Sequence, residues 1–494
     1  MNQHKSIPFT VRDFTNIYQG GYFLNDDLPI DFQIYRIADR SHLLSKDYQG
    51  VLVTSYAFSL DTIDRVTDYC QAIVTREPIL EYKDTIPQFI VENTRVFLYN
   101  LAKYIREQYT HPVIGVTGSA GKSTTSKMIW RLLKDETTDA LVNLGNHNNR
   151  ASVSFYTANI VRNPDYTVLE LAGDSLLPHL PNGNLAELAQ LDIGVITSIG
   201  GAHLSKYKDD LNVAEIKSGL IDGMKPGGLL VVNHDIPQDQ MAVFIRKAAP
   251  KNIKIVTYSM REKNTEAYLI EKSWDGEFST VKANVQGKTV EYRLPGGSEG
   301  TIQNSLGVLL VLDYLGAKLD QEQLKKFEEI KTLPRVLTRK EFDLGTKEHI
   351  TLIDDTHNSS VPSMLNALSY FKLLATSGVY KGTKLLILAK IADLGPKSQE
   401  IHYQFVEPIA ETQPDYALLY GPQMKEIMKE LRKRKILAYH YTDLNELVEE
   451  ALELMTDQSV TVIKGSTWES DFEEISWRLP RKIIEQGGKL VQGG

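Results

Sequence analysis

The sequence predicts an α/β protein of three domains, with a doubly wound parallel sheet at the centre and a Rossmann-like sheet at the end. Three observations predict it. At 494 residues the chain is longer than one hydrophobic core supports, so about three cores are expected. From Pro112 onward, short apolar runs alternate with helical periodicity, the pattern of parallel strands joined by crossover helices. Between one such run and the helix that follows stands GVTGSAGKSTTSKMIW, Gly115 to Trp130. This glycine-rich turn occupies the place where such sheets hold phosphates.

The first domain spans residues 1–110. In it the β-like runs QIYRI, GVLVTSY and AIVTRE alternate with a helix-like stretch from Asp61 to Tyr69, and a longer helix from Asn93 to Tyr109 leads toward the glycine-rich turn. The second domain, 111–333, continues with the strands YTVLELA, IGVITSI and GGLLVVN, then β-rich sequence from Glu266 to Leu294 that reads as an antiparallel excursion. A helix from Thr301 to Leu315 follows. Pro334, after the charged helix QEQLKKFEEI, marks a hinge into the third domain, 334–494. Its strands HITLIDD, TKLLILA, YALLYG, ILAYHY and SVTVIKG describe a second open sheet that lacks the GxGxxG fingerprint. The closing GGKLVQGG is expected to fray.

Charge and composition exclude several classes of function. The balance of 55 basic to 63 acidic residues leaves a net charge of -8, which offers no footprint for nucleic acid or an acidic membrane. Cys70 is the single cysteine, so no internal disulfide forms and its expected role is core filler. The N-terminal MNQHKSIPFTVRDF has no apolar h-region, and no run reaches 18 apolar residues. A monomeric cytoplasmic protein without membrane insertion is expected.

The chemistry starts from the glycine-rich turn. Gly118, Ser119, Ala120 and Gly121 aim backbone N–H groups at phosphate, Lys122 adds a point charge beside the β/γ oxygens, and Ser123 or Thr124 supplies a hydroxyl for Mg²⁺. ATP or GTP is the implied ligand. The usual first glycine position is Val116 and the glycine sits at Gly118, so this is a compact form of the loop. Glu170 ends the strand YTVLEL, where a carboxylate reaches nucleotide-bound Mg²⁺. His203, in GGAHLSKY, is a histidine of the sort that is more often structural than a ligand. Lys217 lies in VAEIKSGLI on a helix expected to turn Val213, Ile216 and Leu220 toward the core. A lysine pushed toward its neutral form reacts with CO₂, and the carbamate is an anionic oxygen ligand for a second Mg²⁺.

Taken together, these motifs resemble the Mur ligase family. TGSAGKSTT is followed by GNHNN (Gly145 to Asn149), LELAG around Glu170, SIGGAHL and Lys217. The third domain adds LIDDTHNSSVPSM (Leu352 to Met364), ILAKIADLGPKSQEIH (Ile387 to His402) and IKGS (Ile463 to Ser466). The blocks run from about Ile90 to Ser466 and are most similar to those of the family branch that adds D-alanyl-D-alanine to a UDP-MurNAc-tripeptide. The resemblance implies a three-domain, ATP-dependent, ADP-forming amide ligase. Its first domain binds a carboxylate acceptor, with a UDP-linked peptide among the candidates, and its third binds an amino acid or dipeptide. It also implies roles: Lys122 at the γ-phosphoryl, Ser123 and Glu170 on the first Mg²⁺, His203 and carbamylated Lys217 on the second. Asn149 would lie near the γ-phosphate and acceptor, Asn304 beside adenine, Arg339 and Asp355 at the hinge and ribose. Asn358, Lys464 and Ser466 would face the amine substrate.

Departures point to a divergent substrate. The first domain has ADRSHLLSKDYQGVLVTSYAFSLD where the family shapes a UDP site with DSR and DGH motifs. Ser152 replaces a glycine, Thr197-Ser198 a TN pair, Lys390-Ile391 a DM pair and Thr467 an arginine, while PGGSEGTIQN is two residues longer than its counterpart. A poly-glutamyl ligase, a small-molecule kinase and a nucleotide-binding regulator without turnover are the competing readings.

Overall fold

The computed structural model describes residues 6–38, 44, 49–54, 63–65, 67–143, 145, 147–178, 183–201, 209–343, 345, 349–468 and 470–492. Three sheets follow one another along the chain. The first has the order β1-β5-β4-β3-β2, built from Tyr22–Phe23 (β1), Ile37–Ala38 (β2), Gly50–Val53 (β3), Cys70–Thr75 (β4) and Gln88–Ile90 (β5). Only β1 runs antiparallel to its neighbour. The run QIYRI yields only β2 and an isolated bridge between Thr10 and Gln33, and the Asp61–Tyr69 stretch lies partly outside the described residues. Phe9, Phe14, Phe89 and Phe97 fill the core between this sheet and helix α1 (Thr94–Gln108), with Phe14 edge-on to Phe97 at 5.1 Å.

Asn93 starts α1 by accepting N–H bonds from Arg95 and Val96 at 3.0 and 3.3 Å. Near its end, the fully buried Arg106 donates to the carbonyls of Ala189 and Gln190, each at 2.6 Å. Those carbonyls close the short helix Leu185–Ala189, where a cation is favoured by the helix dipole. The first sheet is thereby fastened to the second.

The second sheet has nine strands in the order β14-β13-β12-β11-β10-β9-β6-β8-β7. They are Val113–Thr117 (β6), Ala140–Val142 (β7), Tyr166–Glu170 (β8), Leu191–Ile196 (β9), Met224–Asn233 (β10), Lys254–Ser259 (β11), Ala267–Trp274 (β12), Phe278–Val285 (β13) and Lys288–Pro295 (β14). Strands β6 to β11 pair in parallel, and β12 to β14 extend the same sheet as an antiparallel meander. From β6 the chain runs to the edge at β7, returns inward to β8 and then crosses to β9 on the other side of β6, so the carboxyl end of β6, flanked by β8 and β9, is the topological switch point where ligands bind. Helices α2 (Lys122–Leu133), α3 (Arg150–Ala158), α4 (Asp210–Asp222) and α5 (Glu299–Tyr314) surround it. Residues Asn304 to Leu312 of α5 are all buried, consistent with its apolar sequence.

The third sheet, in the order β19-β18-β17-β20-β16-β15-β21, comprises Thr338–Asp343 (β15), Ile350–Asp355 (β16), Lys384–Ala389 (β17), Tyr416–Tyr420 (β18), Ala438–Tyr441 (β19), Val460–Lys464 (β20) and Lys489–Gln492 (β21). Helix α6 (Val361–Thr376) follows β16. The C-terminal segment expected to fray instead forms β21, antiparallel to the edge of β15. Its four side chains are exposed, so the unpaired backbone edge of β15 decides this structure and side-chain burial does not.

Candidate active site

The glycine-rich turn leaves β6 with Gly118 at φ +151°, and a side chain there would put its Cβ 2.0 Å from Thr197 Oγ1. Gly121, at φ +83°, has the Asn304 carboxamide 2.6 Å from where a Cβ would stand. Both glycines are dictated by close approach. The N–H groups of Ser119 and Ala120 donate to Ser198, to its carbonyl at 2.8 Å and its hydroxyl at 2.9 Å. These two groups hold the turn against the end of β9. The donors left for a phosphate are those of the first turn of α2, Lys122 to Thr124, which by their position lack intrahelical acceptors. Lys122 Nζ donates to Gly118 O at 3.0 Å, closing the turn until an anion competes for it.

Glu170, 1% exposed at the end of β8, stands next to this turn. Its Oε1 accepts from Asn148 Nδ2 at 2.6 Å, while Asn143 bonds its backbone N–H and carbonyl at 2.6 and 2.9 Å. Oε2 is buried and meets no donor. A buried, unpaired carboxylate oxygen next to the glycine-rich turn fits a hard divalent cation. Among the described residues no group of three or more His, Cys, Asp or Glu gathers, and His203 lies outside them.

Lys217, on α4, is buried and its ammonium is pushed down to about 7. Desolvation is the main cause and the Lys122 charge adds to it, against the pull of Glu170 and Asp174. Lys122, Glu170 and Lys217, from three separate elements, are thus within electrostatic reach of one another. Asn149 is exposed and caps α3 by accepting the Ser152 N–H at 3.1 Å, whereas Asn148 beside it makes the contact to Glu170. Asn143 and Asn148 were missed in the sequence, although GNHNN and the asparagine before it carried the signal.

Across the cleft, Asp355 and Lys464 form a buried ion pair at 3.0 Å. Lys464 Nζ also donates to the carbonyls of Asp355 at 3.2 Å and Asn358 at 2.5 Å, and Leu337 N–H donates to Asp355 Oδ1 at 3.2 Å. Burial raises the Asp355 pKa despite Lys464. Arg339 donates to Glu341 Oε1 and to the Gly276 carbonyl, each at 2.7 Å, linking β15 to the turn between β12 and β13. Ser466 is 2% exposed and its N–H bonds the Lys390 carbonyl at 2.8 Å, joining the loops after β20 and β17. His357, which the sequence did not single out, is held below the usual imidazole range by burial and then Arg335, and it feels the charges of Glu170, Lys464 and Lys122. A cleft of about 1510 Å³ separates the two sheets, lined by Gly121, Thr124, Asn304, Arg335, Arg339 and Asp355 among others.

Comparison with known proteins agrees with the fold. The profile of the Mur ligase middle domain matches residues 116–312, and that of the Mur ligase glutamate ligase domain matches residues 339–467. The UDP-N-acetylmuramoyl-tripeptide--D-alanyl-D-alanine ligase of Buchnera aphidicola is 26% identical over 373 residues, 74% of this chain and 76% of that protein. In fold, the chain is similar to MurF from Acinetobacter baumannii, with a TM-score of 0.77 at 22% identity over 97% of this chain and 100% of that one. It is also similar to MurF ligase from Thermotoga maritima in complex with ADP, with a TM-score of 0.69 at 20% identity over 91% and 98%.

Proposed function

The chain belongs to the Mur ligase family, and from that membership we propose that it is an ATP-dependent, ADP-forming ligase joining a carboxylate to the amine of an amino acid or small peptide. A UDP-MurNAc-tripeptide and D-alanyl-D-alanine are the substrates named for its curated relatives, and they are the first candidates here. The γ-phosphoryl of ATP passes to the acceptor carboxylate, giving an acyl phosphate and ADP. The amine then attacks the acyl carbon, phosphate leaves, and the amine's proton is released as the amide forms.

The observation that carries this reading is the gathering of Lys122, Glu170 and Lys217 at the switch point, with Oε2 of Glu170 buried and unpaired. Phosphoryl transfer asks mainly for positioning and charge neutralisation, which such a site supplies. Lys122 and the first turn of α2 grip the γ-phosphate. Ser123 or Thr124 and Glu170 would hold the nucleotide-side Mg²⁺, with His203 and carbamylated Lys217 on a second ion. Bound there, the ions neutralise charge on the transferring phosphoryl oxygens. Asn304 would face adenine and Arg339 the hinge side of the nucleotide, while Asp355, braced by Lys464, would take the ribose. Asn358, Lys464 and Ser466 stand at the carboxyl ends of strands in the third sheet, where the amine would enter.

A phosphate-release screen of acceptor acids against amino acids and dipeptides tests this, with UDP-MurNAc-tripeptide and D-alanyl-D-alanine included. Free phosphate should appear only when acceptor and amine are both present. Transfer of phosphate to a stable product would make the chain a kinase, and preference for folate or glutamate acceptors would move it to the poly-glutamyl ligases.

A further inference from the structure

Helix α5 begins with its hydrogen bonding completed from another domain. Ser298 caps the helix, its Oγ accepting the Thr301 N–H at 3.3 Å. The Gly300 N–H, one of the orphan donors of the first turn, instead donates to Oδ1 of Asn366 on α6 at 2.8 Å, and Ser298 Oγ donates to the same oxygen at 3.1 Å. Gly300 must be bare for this, because a Cβ there would stand 2.8 Å from Asn366 Oδ1. Gly297 serves the same end, with Leu373 of α6 2.4 Å from its absent Cβ. Glu299 completes the seam by accepting from Ser369 Oγ at 3.1 Å, while an ion pair with Lys272 of β12 holds Glu299 from within its own domain.

Helix α6 touches the central domain at a second point. Its first residue, Val361, donates its N–H to the Gly201 carbonyl at 3.0 Å, and Pro362 packs on Gly200. That segment follows β9 and Ser198, which holds the phosphate turn; α5 carries Asn304, which presses on Gly121 of the same turn. The two contacts are five residues apart on one rigid helix, about 7.5 Å along its axis. Both walls of the phosphate turn are therefore braced by α6.

We propose that Asn366 is a positioning residue that latches the third domain onto the second, its carboxamide oxygen serving as an interdomain cap for α5 so that the cleft closes with the nucleotide seat intact. The proposal rests on the ligase reading above. Opening the cleft strips the cap from Gly300, and closing restores it. Closure of this kind shields an acyl phosphate from water while the amine enters.

The test compares wild type with Asn366→Ala and Asn366→Asp. Aspartate keeps the acceptor oxygen and is favoured at a helix N-terminus. Small-angle scattering, with and without Mg²⁺ and AMPPCP, should give a larger radius of gyration for the alanine variant at unchanged helix content, and the aspartate variant should return to the wild-type value. In the phosphate-release assay the alanine variant should lose about tenfold in kcat/KM for the amine and release phosphate without amide product. Scattering and amine KM equal to wild type in Asn366→Ala would overturn the latch, as would an aspartate variant that behaves like alanine. Failure of wild type to bind AMPPCP would count against the ligase reading, and the scattering comparison without nucleotide would still decide the latch.

Discussion

Asn148 and Glu170 are joined by a 2.6 Å hydrogen bond that occupies one carboxylate oxygen and leaves the other, which is buried, without a donor. The amide orients the carboxylate, and the bare oxygen is what a cation would take. Asn148→Ala should therefore raise the Mg²⁺ concentration needed for half-maximal ADP formation by roughly 10- to 100-fold, the usual effect of losing a partner that orients a metal ligand. Glu170→Gln should abolish the Mg²⁺ response altogether. A titration of activity against Mg²⁺ checks both, and an unchanged curve for Asn148→Ala would remove the orienting role.

Lys122 donates to Gly118 O at 3.0 Å, a part-buried hydrogen bond whose loss costs the fold about 1 kcal/mol. Lys122→Ala should melt within a few degrees of wild type and form no ADP. A variant with near-normal turnover would remove the assignment of this turn to the triphosphate.

Lys217 has its ammonium pushed down to about 7 against an ordinary value of 10.5. Between those two values the unfolded chain binds more protons than the folded one, so stability rises with pH across that window. Lys217→Met should be more stable than the unmodified wild type by a few kcal/mol below pH 7, with the difference fading toward pH 10.5. Urea melts in CO₂-free buffer measure it. Lys217→Ala should also lose activity that short exogenous carboxylates partly restore, whereas wild-type turnover without them would dismiss the carbamate.

Asp355 and Lys464 are buried together at 3.0 Å, and either one alone would be an uncompensated charge. Lys464→Met should destabilise the chain by about 3–5 kcal/mol. The pair Asp355→Leu with Lys464→Met should cost clearly less than the sum of the single changes. Additive losses in denaturant melts would mean that the two side chains do not depend on each other.

The glycine-rich turn was legible because its parts are neighbours in the chain. Gly118, Gly121 and Lys122 follow an apolar run and open a helix, and their spacing fixes a strand-turn-helix whatever else surrounds it. The same holds for the antiparallel meander, whose β-rich sequence from Glu266 to Leu294 marked β12 to β14. Which of the asparagines in and before GNHNN would meet Glu170 was not legible. Asn149 sits where the chain enters α3 and is consumed as its cap, and Asn148, one residue earlier, points to the carboxylate. Exposed backbone edges hid another element, since KLVQ carries no burial pattern and is recruited by β15.

What the sequence determined alone is the order of three α/β units, the family and the glycine-rich strand-turn-helix, because each is written in residues a few positions apart. Tertiary structure decided which groups share a site. Asp355 meets Lys464 across 109 residues, Gly300 meets Asn366 across 66, and Lys217 loses its charge preference only through burial beside Lys122. Such pairings depend on how sheets and helices pack, and packing is set by the whole chain at once.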